Sequence, residues 1–330
     1  MALKKRLNYN TDKLRQCYKQ PHELFQKLSL YTTNNFIDFQ DFKLHIIDDG
    51  RSDESEKEPI KIKANVILGD GTLLGEFVFN DSARYEGKCF FSYANSALYK
   101  VFTYNHDGKC NYQGFVSNVA DTLGLTLNNF TQIEIAADVN FNPIPKIQKY
   151  IRDFENWDMI VNGKRVSDEN RTIEGFGEYF ERSRKKRNKY PTLYFKQVKD
   201  NSPLLRIYDK SNEINAQNTI KKYVEDWNEY GSAKVYRLEV SIKNEDFKKW
   251  IDFVHSADNG LLREWCDFYD PKASAEENAK TFLEATERLL GLRAYKCQLW
   301  RFFADRLVYF RSKRTSEVVS LLDIAEGRAN

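Results

Sequence analysis

Three short runs between residues 60 and 93 constrain the fold of this chain most strongly. Ile60–Leu68, Leu73–Phe79 and Lys88–Tyr93 read as strands, rich in β-branched and aromatic residues with apolar side chains at alternate positions. Gly69-Asp70-Gly71 separates the first two, and that triplet suits the tight turn of an antiparallel hairpin. The rest of the chain adds both element types. Leu14, Tyr18, Leu24, Phe25 and Leu28 recur at helical spacing, with Pro21 near a break, and predict a helix over residues 12–29. Residues 50–59, GRSDESEKEP, read as a polar loop. Val116–Leu125 reads as a helix leading into the strand Gln132–Val139, and Ile147–Asn156 as a further helix.

The middle third repeats this order. Thr192–Gln197 and Leu204–Tyr208 read as strands, then a helix covers about Ile214–Tyr230, and Val235–Ile242 returns as a strand. From Glu245 the pattern turns helical through Trp250, Phe253 and Val254 and ends in a helix over Ser316–Ala325. The expected class is α+β: a mixed, mainly antiparallel sheet with an internal pseudo-repeat, helices on one face and a helical C-terminal module. Segment boundaries are expected near residues 40 and 245. The pseudo-repeat sets Phe90–Tyr93 and Gln132–Ile135 against Leu205–Tyr208 and Arg237–Val240, which would bring Glu134 and Glu239 side by side.

Composition excludes several classes. With 51 Lys+Arg against 48 Asp+Glu the formal charge is +3, so a polyanionic partner would have to meet a local patch. No run of 18 apolar residues predicts a membrane helix, and the opening MALKKRLNYNTDKLRQ lacks the apolar stretch of a secretory leader. The five cysteines are scattered without a CxxC pair, which argues against a zinc site or disulfide framework and makes a reducing cytoplasm the expected compartment. The four histidines (His22, His45, His106, His255) are isolated, so any bound metal must take oxygen ligands.

Strand alternation gathers such ligands. Arg206, Tyr208 and Lys210 share one side of their run, Glu134 and Asp138 share a side of theirs, and Arg237, Glu239 and Ser241 share a side of the third. Pairing of the three strands would line one surface with a tyrosine, cations and carboxylates, with an apolar surface behind. Glu134, Asp138 and Glu239 suit Mg²⁺ or Mn²⁺. Tyr208 is the candidate nucleophile, its phenolate favoured by Arg206, Lys210 and the metal.

The segments Thr192-Leu-Tyr-Phe-Lys196, Leu205-Arg-Ile-Tyr-Asp-Lys-Ser-Asn-Glu213 and Tyr236-Arg-Leu-Glu-Val240 resemble the replication initiation factor (Rep_trans) family. These are the tyrosine initiators of staphylococcal-type rolling-circle plasmids, with related conjugative relaxases and filamentous-phage initiators. The resemblance covers about residues 60–245, with Ile133–Asp138 similar to the family's acidic strand and Lys196 standing where glycine is usual. It implies a metal-dependent enzyme that nicks and rejoins one DNA strand through a 5′-phosphotyrosine on Tyr208. It also implies metal ligands at Glu134 and Glu239, with Asp138 beside them. Nicking would then fall to residues 41–244, preceded by an N-terminal helical segment at 1–40, and origin recognition or dimerisation to 245–330. The absence of HxH fits a family distinct from the histidine-dependent nickases.

Arg182, Arg184, Lys185, Lys186, Arg187 and Lys189 form a basic block suited to phosphate contacts. The C-terminal segment interleaves further cations with Tyr295, Trp300, Phe302, Phe303 and Phe310, rings expected to serve the core more than base stacking. The expected partner is DNA, as an origin duplex or hairpin and as the nicked strand, with a homodimer and a helicase as further candidates and no membrane. The competing readings are a conjugative relaxase, a non-catalytic DNA-binding regulator, and a metal-dependent nuclease that uses water.

Overall fold

The structure, a computed structural model, describes residues 7–51, 60–85, 87–101, 115–168, 178–179, 192–196, 204–216, 223–228, 230, 234–255, 272–274, 277, 281, 285–287 and 289–328. Strand β1 (Leu7–Lys19) and helix α1 (His22–Leu28) precede β2 (Phe36–Asp38), β3 (Phe42–Asp48), β4 (Lys61–Leu68), β5 (Leu73–Asn80) and β6 (Lys88–Tyr93). Helices α2 (Asn95–Val101) and α3 (Phe115–Thr122) lead to β7 (Thr126–Val139), α4 (Ile144–Arg152), β8 (Trp157–Val161) and β9 (Lys164–Arg165). Next come β10 (Glu178–Tyr179), β11 (Thr192–Lys196), β12 (Leu204–Asp209), α5 (Lys210–Ala216), α6 (Tyr223–Asn228) and β13 (Tyr236–Lys243). The described chain closes with α7 (Asn244–His255), α8 (Arg293–Leu307), β14 (Val308–Ser312), β15 (Val318–Ser320) and α9 (Leu321–Ala325). The class is α+β with a large, mainly antiparallel sheet. None of the helices among the described residues is long and apolar enough to cross a membrane.

The chain forms two compact units. The first gathers Met1–Thr11, Glu134–Asp252 and Arg293–Asn330, and the second Asp12–Ile133 and Phe253–Leu292. In the second unit the strand order is β7-β1-β6-β5-β4-β3-β2. The Gly69-Asp70-Gly71 turn joins β4 to β5 antiparallel, with Gly71 at φ 84°, a backbone region that costs glycine little. Asp70 Oδ1 accepts the Thr72 N–H at 2.8 Å and holds the turn. Ile62, Ala64, Phe77, Phe79, Cys89 and Phe91 alternate along their strands into one buried side. Gly75 leaves room there, since a Cβ would lie 2.5 Å from the Phe91 ring.

Residues 12–19 are strand rather than the expected helix. Leu14 and Tyr18, four apart, satisfy a period of two as well as one of 3.6, and Arg15 to Lys19 pair with β6. Helix forms only after Pro21, over His22–Leu28. The C-terminal segment likewise contains strands, with β14 pairing β8 and β15. The final helix starts at Leu321, because the Ser320 side chain caps it and receives Asp323 in return.

In the first unit the strand order is β10-β11-β12-β13-β7-β1, beside a small sheet β15-β14-β8-β9. Leu205, Ile207, Leu238 and Val240 are buried on the apolar side of β12 and β13. Helix α8 packs here, with Trp300 donating its indole N–H to the Leu238 carbonyl at 3.0 Å and its ring 6.1 Å from Tyr9. The expected core role of Tyr295, Trp300, Phe302, Phe303 and Phe310 agrees with their burial.

On the same helix, burial pushes the Asp305 carboxyl up to about 6; Arg301, 3.6 Å away, offsets part of this and Asp323 adds to it. The folded state therefore holds this proton more tightly than the unfolded chain. The stabilisation is complete below pH 4 or so and is lost as pH rises through about 6. Asp305→Asn should remove that part of the pH dependence and be the more stable protein at neutral pH. Urea denaturation of both proteins at acid and neutral pH measures this, and parallel pH profiles would refute it.

Candidate active site

Antiparallel pairing of β12 with β13 sets Arg206 opposite Glu239, Tyr208 opposite Arg237 and Leu204 opposite Ser241. On the other side of β12, Tyr194 of β11 stands opposite Arg206. The strand period turns Arg206 and Tyr208 away from Leu205 and Ile207, so the polar groups share the side remote from α8. The Tyr208 hydroxyl donates to Glu239 Oε2 at 3.0 Å, and Arg206 Nη2 donates to Oε1 of the same carboxylate. Arg206 Nη2 also lies 3.5 Å from Glu134 Oε2, and Ser241 Oγ donates to Glu134 Oε1 at 3.1 Å. The Glu239 side chain is 0% exposed and that of Arg206 is 33% exposed, and Tyr208 is likewise only half-buried, so the arginine and the tyrosine are the members of the cluster nearest solvent. Burial works against the Arg206 charge, but Glu239 and then Glu134 outweigh it and hold the guanidinium above its ordinary pKa.

Lys210 begins α5 with a side chain only 2% exposed. Its Nζ lies 2.7 Å from Glu213 Oε2 and 5.6 Å from the centroid of the Tyr208 ring. The structure thus brings together Tyr208, Arg206, Lys210, Glu134 and Glu239.

Asp138 is placed otherwise. Both its oxygens face Arg237, which donates from Nε at 2.7 Å to Oδ1 and from Nη2 at 2.8 Å to Oδ2. Asn10 and Asn228 add bonds to Oδ2 at 2.8 and 3.1 Å. Asp138 and Arg237 are both 0% exposed, so each charge depends on the other. Among the described residues of the first unit, Glu134 and Glu239 each offer an oxygen within 4.8 Å of the other. In the second unit, Asp12 is buried and accepts from the Tyr99 hydroxyl at 3.3 Å. Sequence reasoning missed the burial of Asp12 because it read this stretch as helix, although period-two alternation through Asp12, Leu14, Gln16 and Tyr18 was the signal that points to it. The basic block Arg182–Lys189 lies outside the described residues.

No protein-family model matches the chain, and no curated protein does. Among solved structures the chain is similar to a rolling circle replication initiator protein from Geobacillus stearothermophilus. That likeness has 12% identity and a TM-score of 0.33, over 78% of this chain and 85% of that one. At this level it assigns no role to any residue here.

Asp138→Ala should lower the unfolding free energy by about 3–5 kcal/mol, because it strands a buried guanidinium. Urea denaturation in excess chelator checks this without interference from metal. A drop below about 1 kcal/mol would mean Arg237 needs no buried partner.

Proposed function

We propose that this chain is a rolling-circle replication initiator that nicks one DNA strand with Tyr208 and later rejoins it. The observation that carries this reading is the 3.0 Å hydrogen bond from the Tyr208 hydroxyl to Glu239, a buried carboxylate that shares Arg206 with Glu134. A nucleophile and an oxygen-rich cation site then share one residue. The similarity of Leu205–Glu213 to the R-I-Y-[DN]-K strand of tyrosine initiators supports it from the sequence side.

The donor set fits a hard divalent ion. Glu134 and Glu239 are both buried carboxylates, and the single charge of Arg206 offsets only part of their mutual repulsion. These two residues would hold Mg²⁺ or Mn²⁺, which when bound supplies Lewis-acid polarisation of a phosphate oxygen.

Tyr208 Oη attacks the scissile phosphorus and its proton passes to Glu239 Oε2. The new P–Oη bond forms as the P–O3′ bond breaks, and the departing O3′ takes a proton from water, which the proton held on Glu239 replaces, leaving a free 3′-OH and the carboxylate restored. Lys210, close to the Tyr208 ring, favours the phenolate. Arg206, partly exposed, offers charge-assisted hydrogen bonds to the phosphate oxygens. The phosphotyrosine link conserves the phosphodiester bond energy, so attack by a 3′-OH reseals the strand without ATP. Binding of DNA by the Arg182–Lys189 block, and origin choice by the segment after Glu245, complete the proposal.

A nicking assay on a supercoiled origin plasmid, with denaturing gels to trap the adduct, tests the chemistry. Tyr208→Phe should retain DNA binding and lose both the nick and the covalent adduct. Glu239→Ala or excess chelator should abolish nicking as well. An adduct formed by Tyr208→Phe would transfer the nucleophile to another tyrosine, Tyr194 first. Full activity in chelator would exclude the metal.

Neutralising three charges in Arg182–Lys189 should weaken binding to origin and random duplex alike. The log–log salt slope should fall by about 0.9 for each phosphate that the variant no longer neutralises. Titrations at several salt concentrations measure both effects. A changed sequence preference at constant slope would move origin recognition to this block.

A further inference from the structure

We infer that the outward side of the β1–β6 sheet in the second unit is a binding face for single-stranded DNA, separate from the Tyr208 chemistry. Strand register fixes which residues share it. Arg15 stands opposite Ser92, Ser92 opposite Glu76, Glu76 opposite Asn65, Asn65 opposite His45, and His45 opposite Phe36. One row beyond, Phe90 faces Val78 and Val78 faces Lys63. The opposite side of these same strands carries Ile62, Phe77 and Phe91, all buried. Polar and aromatic groups therefore alternate outward for a packing reason that is independent of any ligand.

Two features of this face suit an unpaired strand. Phe36 on edge strand β2 is 51% exposed, though a ring of that size gains stability from burial. It stacks on His45 with centroids 4.4 Å apart and planes 7° from parallel, while Lys43 Nζ lies 5.8 Å from its centre. Phe90 repeats the pairing of ring and cation, with the Arg15 guanidinium 5.1 Å above it. Bases of a single strand stack on such rings while neighbouring cations meet the phosphates. In a duplex the bases already stack on one another, so the rings would gain nothing.

Charge points the same way. Lys13, Arg15, Lys43, Lys61, Lys63 and Lys88 outnumber the acidic groups of the face, Asp38, Asp48 and Glu76, and Asp48 is taken by Lys63 at 2.9 Å. In a chain of net charge +3 this is a local cationic excess, and a polyanion complements it. Six strands at about 4.8 Å spacing span ~24 Å, a width suited to a single-strand site of roughly 4–16 nucleotides.

The test uses the full chain carrying Tyr208→Phe, in excess chelator, so that neither nicking nor adduct formation enters the reading. A fluorescent oligothymidylate of about 16 nucleotides is titrated by anisotropy, with a duplex of the same length as competitor. Phe36→Ala should weaken binding about fivefold or more. Lys43→Gln with Lys61→Gln and Lys88→Gln should weaken it and reduce the salt slope by about 0.7 for each phosphate left without its cation. The single strand should outcompete the duplex. If either set of variants binds as tightly as the parent, or if duplex competes as well as single strand, this face does not bind unpaired DNA.

Discussion

Glu239 carries a charge that water does not reach, and the arrangement around it follows from that fact. A carboxylate taken out of solvent costs several kcal/mol unless hydrogen bonds and opposite charge replace its hydration. Arg206 and Tyr208, on the next strand, supply those groups. The arginine then bridges to Glu134, whose other oxygen accepts from Ser241. Each of these interactions depends on the antiparallel register of β12 and β13, because a slip of one residue would turn Glu239 toward α8 and Leu238 toward the polar side.

Two acidic residues of the same strand illustrate how neighbours divide labour. Asp138 lies four residues beyond Glu134 on β7, and a common face makes them look interchangeable. Arg237 engages both oxygens of Asp138, with Asn10 and Asn228 completing its shell. That carboxylate is committed to structure. Glu134 meets Arg206 only at 3.5 Å and offers an oxygen within 4.8 Å of one from Glu239, so two carboxylates share one guanidinium and negative charge outweighs positive. A saturated ion pair stiffens the sheet, whereas a group with excess anionic charge has an electrostatic reason to take a cation.

The two units use the two-residue strand period in different ways. In the first, the apolar side lies under α8 through Trp300 and the polar side holds the tyrosine and carboxylates. In the second, Phe77, Phe79 and Phe91 fill the inward side, leaving Arg15, Phe90, His45 and Phe36 to face outward. One folding rule thus produces a polar cluster of tyrosine, arginine and carboxylates in one unit and a cationic, aromatic surface in the other.

Much of this was legible in the residues alone. The alternation in Ile60–Leu68 and Leu73–Phe79 and the intervening Gly-Asp-Gly determined the hairpin, since few backbones accept glycine-dependent turn angles. Alternation in Leu204–Asp209 and Tyr236–Ile242 determined that Arg206 and Tyr208 share a side, as do Arg237 and Glu239. What alternation does not specify is which strands become neighbours. Leu14 and Tyr18 fit a helix and a strand equally well, and pairing with β6 selected the strand. That tertiary choice buried Asp12 beside the Tyr99 hydroxyl. The partner of Asp138 was equally beyond local reading, because Arg237 lies 99 residues away in the chain. The sequence by itself determined which side chains face together along each strand, through the geometry of the peptide unit. Only the tertiary structure decided which faces meet, because strand pairing depends on the burial and hydrogen bonding of distant segments.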